Sequence, residues 1–383
     1  MAGIEFLDEI PFKDVYFTSI LRDKDGKKFS KSLGNSPDPL TLFEEYGTDA
    51  VRFATMLMSP QGLDVLFSND RLEIGRNFMN KLWNASRFVH MNLDDLKNDN
   101  DTLDINQLEE PERWILNRLD ETAVEVNKLL NKFKFNEAAK LIYEFTWNDY
   151  CDWYIEIAKT RFYGNDNKKK ELAQKVAVKT LKGILILLHP YAPFITEEIW
   201  SFFRNKDDLD LIVSPWINPH EFIPDDDALK SFEVIKSTIS AVRMIRSKMN
   251  VPSNKRSNVI IRKGEKFESI IRNNSAIIKS LGNIENISFS NDSKKPKKSA
   301  TVVTNQMEIF IPLEGLIDFE IEISRLSKRL NELDKHIASI KHKLTNKKFI
   351  DRAPKEVVSH EKQKLDDMIV EYNLVKQNLD ILI

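Results

Sequence analysis

Two lysines three residues apart, Lys28 and Lys31, stand with Ser30 and Ser32 in the polar stretch DKDGKKFSKSLGNSPDP. Each lysine brings a point charge and three donors, the serines add hydroxyls, and adjacent backbone amides can complete an anion nest. That set suits polyphosphate oxygens, above all a leaving pyrophosphate, although a short basic string can also be a solvated surface turn. Such a loop needs an element to present it. Residues 15 to 21, VYFTSIL, are apolar and β-branched over strand length, and Arg22 to Gly26 turn the chain toward solvent. Gly34, Asn35, Pro37 and Pro39 prevent a helix from continuing past the lysines. The expectation is a strand over 15–21 that needs neighbours on both faces. Without the rest of a parallel sheet, residues 1 to about 40 should be mobile or pack differently than in an intact sheet.

Composition narrows the classes. A chain of 383 residues with 42% hydrophobic residues allows two to four domains with real cores. The formal net charge of −2 excludes a generally basic nucleic-acid binder, so any RNA contact must come from local patches. The single cysteine, Cys151, lies in the aromatic string WNDYCDWYIE and reads as a packed thiol. No two of the six histidines have metal-ligand spacing, so no metal site is expected in this chain. The acidic N-terminus MAGIEFLDEIPF lacks a signal-peptide pattern, and no 18-residue apolar run occurs, so a cytoplasmic protein without membrane contact is expected.

Composition also marks the modules: strand and lysine loop in 1–40, a connector in 41–70 and amphipathic helices over 71–215. A small α+β module follows in 216–313, with β-rich stretches SNVIIRK, NISFS, ATVVT and MEIFIPL, a helix over about 225–249 and another over about 265–281. Residues 314–383 carry heptads.

The helix expected over 71–96 gathers Phe78, Leu82, Ala85, Val89 and Leu93 on one face. Opposite them, Asn77, Lys81, Asn84 and Phe88 fall at i, i+4, i+7 and i+11, with Arg87 alongside. An aromatic ring among amide and cationic groups offers what an unstacked RNA base needs, although a ring at Phe88 could equally pack beneath a neighbouring helix. Trp114, Tyr143, Phe145, Trp147, Tyr150, Trp153 and Tyr154 are spaced as helix-interface packing.

From Leu316 to Leu344, apolar residues alternate spacings of three and four, and a second seam runs from Val358 to Leu382 after the turn NKKFIDRAP. Two matched helices joined by a short turn make an antiparallel hairpin. Between 325 and 364 it carries twelve Lys or Arg against five acids, while 316–324 and 365–383 together hold seven acids and only Lys376. Its distal part is therefore basic, which favours phosphate contacts at Lys328, Arg329, Lys341, Lys343, Lys347, Lys348 and Arg352.

The string GKKFSKSLGNSPDPLTLFEEYGTDAVRF resembles the KMSKS loop of class I aminoacyl-tRNA synthetases, with Phe29 at the usual Met. GRNFMNKLWNASRFV, WILNRL, FNEAAKLIYEFTWNDYCDWYIEIAK and LLHPYAPFITEEIW resemble the anticodon-binding bundle of valyl, isoleucyl and leucyl enzymes. A hairpin with FIDRAPKEVV at its turn resembles the C-terminal arm of the valyl-tRNA synthetase family, whereas isoleucyl enzymes typically end in other modules. The resemblance implies ATP-dependent activation of valine and its transfer to tRNA, with Mg accompanying ATP in the intact enzyme. It places Lys31 and Ser30 and Ser32 at ATP, Lys28 at the pyrophosphate, and a valine-accepting tRNA on bundle and arm. No HxGH string occurs, so a missing N-terminal portion is expected to hold the amino-acid pocket and editing part, and this chain alone should be an inactive monomer. A non-catalytic RNA-binding module derived from a synthetase, and an isoleucyl-type portion, stay open as alternatives. The fold expected is mainly α: a helical anticodon-binding bundle with a partial nucleotide-fold remnant at the N-terminus, a small α+β module and a C-terminal antiparallel coiled-coil hairpin.

Overall fold

A computed structural model describes residues 2–60, 62–93, 103–204, 209–218, 225–262, 265–290, 296–304, 307–346 and 355–382. The fold is mainly α and divides into two compact units, residues 1–232 and 233–383.

In the first unit a short helix α1 (Ala2–Leu7) precedes an extended stretch that forms strand only at β1 (Leu21–Arg22). The expected strand over 15–21 is therefore not formed. Val15 and Phe17 are 63% and 76% exposed, because a strand persists only where a neighbour takes its backbone groups, and here that neighbour is two residues long. β1 pairs in parallel with β2 (Val65–Leu66), Leu21 opposite Val65 and Arg22 opposite Leu66. Between the strands lie α2 (Pro39–Tyr46) and α3 (Thr48–Met58). Asp38 caps α2 by accepting from Leu40 N at 3.1 Å, with Pro39 preset for the first helical position. Leu42, Val51, Ala54, Met58, Val65 and Leu72 bury a small core, against which Leu21 and Phe67 pack.

Six helices then build the bundle: α4 (Asn69–Met91), α5 (Glu110–Asn131), α6 (Phe135–Glu144), α7 (Ile155–Phe162), α8 (Asn167–Leu188) and α9 (Pro193–Phe203). The apolar face expected on α4 is buried at Phe78, Leu82, Ala85 and Val89. The helix stops at Met91, where Asn92 turns out of helical geometry and its side chain donates to Phe88 O at 2.8 Å. Gly75 lets α3 approach closely, since a Cβ there would lie 2.3 Å from Ala50 O. A ten-residue π-helix, Phe145–Tyr154, joins α6 to α7, a widening that the sequence does not announce. The aromatic string packs as expected, with Trp114, Tyr150 and Tyr154 buried and Trp114 stacked on Phe232 at 3.7 Å.

The second unit takes up α10 (Asp226–Lys248) from Glu233 onward and adds a four-stranded sheet of order β4-β3-β6-β5. Its strands are β3 (Ser257–Arg262), β4 (Ile284–Phe289), β5 (Ser299–Thr304) and β6 (Met307–Pro312), which coincide with the four β-rich stretches. β3 and β4 run parallel, so a crossover must join them. It consists of α11 (Glu265–Asn273) and α12 (Ser275–Gly282), two helices instead of the single one expected, because Asn274 leaves helical geometry at φ −103° and ψ 17°. The arm is α13 (Phe319–Thr345) and α14 (Lys355–Leu382). Leu326, Leu333, Ile337 and Ile340 are buried along its seam. Ion pairs Arg329–Glu371 and Lys343–Glu361 fix the antiparallel sense, since partners move together as the turn is approached. The 27 residues of α13 span about 40 Å at a helical rise of about 1.5 Å per residue.

Candidate ATP and tRNA interface

The lysine loop is built around two side chains that hold backbone. Asp23 Oδ1 accepts from Asp25 N at 3.0 Å and Lys27 N at 2.8 Å, closing a turn in which Gly26 has φ +78°. Twelve residues on, Asn35 donates from Nδ2 to Asp23 Oδ2 at 2.7 Å and to Lys28 O at 3.2 Å, and its Oδ1 accepts from Ser30 N at 2.9 Å. The Asn35 bond, ahead of the backbone bonds, holds the Asp23 carboxyl below the ordinary aspartate range. Three points of the loop, at Asp23, Lys28 and Ser30, are thus tied at one carboxamide.

Within that frame Lys28 is exposed and bridges Arg22 through its backbone, while the Ser30 and Ser32 hydroxyls share a hydrogen bond at 2.7 Å. Lys31 opens the 3-10 turn Lys31–Leu33; its side chain lies outside the described part of the structure. Phe29 points down to the loop's base and meets Phe67 edge-on, with ring centroids 5.9 Å apart. Arg22 Nε donates to Asp64 Oδ2 at 2.5 Å, which joins the loop's root to the segment after α3. The loop therefore sits on the small core of α2, α3 and β2. That core is clipped to the bundle by Asp49, whose Oδ2 accepts from Ile195 N at 2.6 Å, one of the unpaired amides at the start of α9. Burial pushes the Asp49 carboxyl above its ordinary value, against the pull of the α9 amides.

On α4, Asn77, Asn84 and Arg87 are exposed as their spacing implies. Lys81 is engaged: its Nζ donates to Asp152 Oδ1 at 2.5 Å and stands 3.8 Å from the centre of the Trp147 ring. Phe88 does not stand clear of the bundle. Its ring stacks on Phe162 at 5.9 Å and meets Tyr163 at 6.5 Å, and Lys159 lies 5.3 Å from its centre. The outermost ring of that group is Tyr163, 70% exposed. Trp147 stacks on Tyr143 at 5.5 Å, so the polar face of α4 is flanked by two aromatic groups contributed by other elements.

On the arm, Lys328 and Lys341 are exposed. Arg329 is committed to Glu371 through Nε and Nη2 at 2.9 and 2.6 Å, and Lys343 lies 3.7 Å from Glu361. Lys347, Lys348 and Arg352 fall outside the described residues. Among the described residues no cluster of His, Cys, Asp or Glu could hold a metal ion, and no helix is long and apolar enough to cross a membrane.

Three family profiles match the chain in order. Residues 1–68 match tRNA synthetases class I (I, L, M and V), 112–261 match the anticodon-binding domain of tRNA ligase, and 318–382 match the valyl tRNA synthetase tRNA binding arm. A valine-tRNA ligase of Syntrophotalea carbinolica is 42% identical over 384 residues, covering 100% of this chain and 43% of the relative. The valine-tRNA ligase of Listeria innocua is 40% identical over 381 residues, with 99% and 43% covered. That of Thermotoga maritima is 39% identical over 366 residues, with 96% and 41% covered. Valine-tRNA ligase homologues at about 40% identity thus cover the whole chain. The chain spans less than half the length of these relatives, 41–43% of each.

The engaged side chains include two that spacing alone did not single out. Asn35 entered the sequence argument only as a helix breaker, yet it sets the loop. Its side chain bonds residues 5, 7 and 12 positions away, a pattern without periodicity. Tyr163 ends α7 just before Gly164, and nothing in its neighbourhood ties it to Phe88 in sequence.

Proposed function

We propose that this chain supplies the lysine loop and the tRNA-holding surfaces of a valine-tRNA ligase, which activates valine with ATP, accompanied by Mg, and transfers it to a valine-accepting tRNA in the cytoplasm. The observation that carries the reading is the arm: residues 318–382 match the valyl tRNA-binding arm, and the described residues among them form an antiparallel helix pair, α13 and α14, with exposed cations such as Lys341 and Lys362. That observation favours valine over isoleucine. The working division is the loop in 1–40, a connector in 41–70, the anticodon-binding bundle in 71–215, the α+β module in 216–313 and the arm in 314–383.

In this reading Lys28 and Lys31 hold the phosphates and offset charge developing on pyrophosphate, and Ser30 and Ser32 shape the loop that carries them. The attacking groups are the substrates' own carboxylate and tRNA hydroxyl, so the loop contributes position and charge. Asn77, Asn84 and Arg87 face the anticodon region, with Lys81 and Phe88 packed at the edges of that face against Asp152 and Phe162. Lys328, Lys341, Lys343, Lys347, Lys348 and Arg352 face tRNA phosphates, while Arg329, held by Glu371, supports the helix pair that carries them.

The test joins this chain to the preceding portion of the Syntrophotalea carbinolica relative and measures valine charging of tRNA. Charging is expected, and Lys28→Ala or Lys31→Ala should each lower it roughly 100- to 1000-fold, as for removal of a preorganised charge contact, with tRNA affinity unchanged. Lysine variants that charge tRNA at the parent rate would refute the assignment. So would valine-dependent pyrophosphate exchange by the 383-residue chain alone.

A further inference from the structure

The rings beside the polar face of α4 form a ladder that runs from core to surface. Phe162 is 3% exposed, Phe88 is partly buried and stacks on it with 23° between the ring planes, and Tyr163, 70% exposed, meets the Phe88 ring edge-on at 68°. A ring left largely in water adds little to what holds the bundle together, since apolar stabilisation scales with the area removed from water.

The backbone beneath that ring is nonetheless fixed. Tyr163 N donates to Lys159 O at 3.1 Å and Gly164 N to Arg161 O at 3.0 Å, which closes the last turn of α7. The Arg161 side chain is buried, with Nη1 2.5 Å from Glu112 Oε1 and Nη2 2.9 Å from Glu109 Oε2. Glu109 also takes Lys169 Nζ at 2.6 Å, so the chain next to Tyr163 is tied to the starts of α5 and α8. Breaking a buried pair of this kind leaves an uncompensated charge, so the end of α7 has little freedom to move.

Arg87, the neighbour of Phe88 on α4, and Lys168, in the first turn of α8, are exposed, and Lys159 lies 5.3 Å from the centre of the Phe88 ring. A pre-positioned aromatic ring among cations matches an unstacked nucleobase and its phosphodiester: the ring takes the base and the cations take the backbone. A protein partner fits less well, because the aromatic anchors of protein interfaces fill desolvated pockets, and this ring stands in the open beside charged side chains.

We propose that Tyr163 is a stacking platform for an unpaired base of the bound tRNA, with Phe88 and Phe162 as the rings behind it and the Arg161–Glu112 pair holding the turn that carries it. The proposal deepens the tRNA-binding reading above and rests on it. It moves the ring offered to RNA from α4, where spacing places it, to the end of α7.

The experiment measures binding of valine-accepting tRNA by the whole chain across a salt series. Tyr163→Ala should weaken binding about 10-fold or more without changing the slope of log K against log salt, because a stacked base releases no counter-ion. Tyr163→Phe, which keeps the ring, should recover most of that loss. Phe194→Ala removes another outward ring, 65% exposed at the start of α9, and should change affinity less than about 2-fold. Equal effects of the two alanine substitutions would overturn the proposal, as would a loss that phenylalanine does not restore. A second readout uses the unmodified chain: tRNA should slow nitration of Tyr163 by tetranitromethane, and a fully paired RNA duplex of similar length should not. Protection by both RNAs or by neither would remove the stack. A chain that binds no tRNA refutes the parent reading and this site with it, whereas tRNA binding that ignores Tyr163 refutes only this site.

Discussion

The carboxamide of Asn35 and the carboxylate of Asp23 are joined by a 2.7 Å hydrogen bond that closes the lysine loop across twelve residues. The same carboxamide holds Lys28 O and Ser30 N, so one side chain sets the path of the segment that carries both lysines. Replacing Asn35 by Ala should loosen residues 27–33 without unfolding the unit, because each lost hydrogen bond contributes only about 0.5–1.5 kcal/mol. In the joined enzyme, charging should fall by up to about 100-fold through misplacement of Lys28, with tRNA affinity unchanged. Amide exchange at Lys27 to Ser30 and charging kinetics check this; unaltered exchange would show that the loop has another latch.

The same pair predicts a pH response. Asp23 is held below the ordinary aspartate range, chiefly by the Asn35 bond, so its folded form releases the proton more readily than the unfolded chain does. Its contribution to loop order is present above the unfolded value and is lost as pH falls through the depressed folded value. NMR titration should show the Lys27 and Ser30 amides shifting together in that acid window, and Asn35→Ala should move the transition upward.

Asp49 predicts the opposite sign. Burial raises its carboxyl, so the ionised form opposes folding, and the stability it offers is present below the unfolded aspartate value and lost as pH rises through the folded one. Asp49→Asn keeps an acceptor for Ile195 N without the buried charge, and its stability at neutral pH should stay within about 1 kcal/mol of the parent or exceed it. Asp49→Ala strands a helix-start amide and should cost about 1–3 kcal/mol. Urea unfolding at pH 7 and pH 4.5 distinguishes them; equal losses for Asn and Ala would contradict the account.

Gly75→Ala should be among the costly single changes. Its Cβ would meet Ala50 O at 2.3 Å, backbone that cannot give way without moving α3. An overpacked crossing of this kind costs about 1–3 kcal/mol. A change in unfolding free energy below about 0.5 kcal/mol would mean that α3 and α4 shift freely.

The arm's cations should separate by partner. Arg329 is spent on Glu371, so Arg329→Ala should act mainly on the helix pair, and only slightly, as the loss of an exposed bridge does. Lys328→Ala and Lys341→Ala should each leave thermal unfolding unchanged and lower the salt slope of tRNA binding by about 1. Salt titrations with the three variants check the division.

Features that repeat along the chain were legible in the sequence. The arm's seam, the buried face of α4 and the four strands of the α+β module follow from periods of 3.5, 3.6 and 2, which local sterics impose. What escaped depends on partners distant in sequence. VYFTSIL has the composition of a strand and too little beside it to become one. Lys81 reads as a free cation until Asp152, 71 residues on, takes it, and Phe88 reads as a projecting ring until Phe162 stacks on it. The break at Asn274 and the π-helix over Phe145–Tyr154 are local, yet they arise from packing that propensity does not encode.

The central claim is that this chain holds a valine-accepting tRNA through bundle and arm together. Its most direct test is the affinity of the 383-residue chain for that tRNA, for the same tRNA with an exchanged anticodon, and for a fragment lacking the outer corner, across a salt series. The account predicts salt-dependent binding that weakens by about 10-fold or more with either alteration, since each removes several contacts at roughly 1–3 kcal/mol apiece. Equal affinity for all three RNAs, or binding that salt does not weaken, would contradict it.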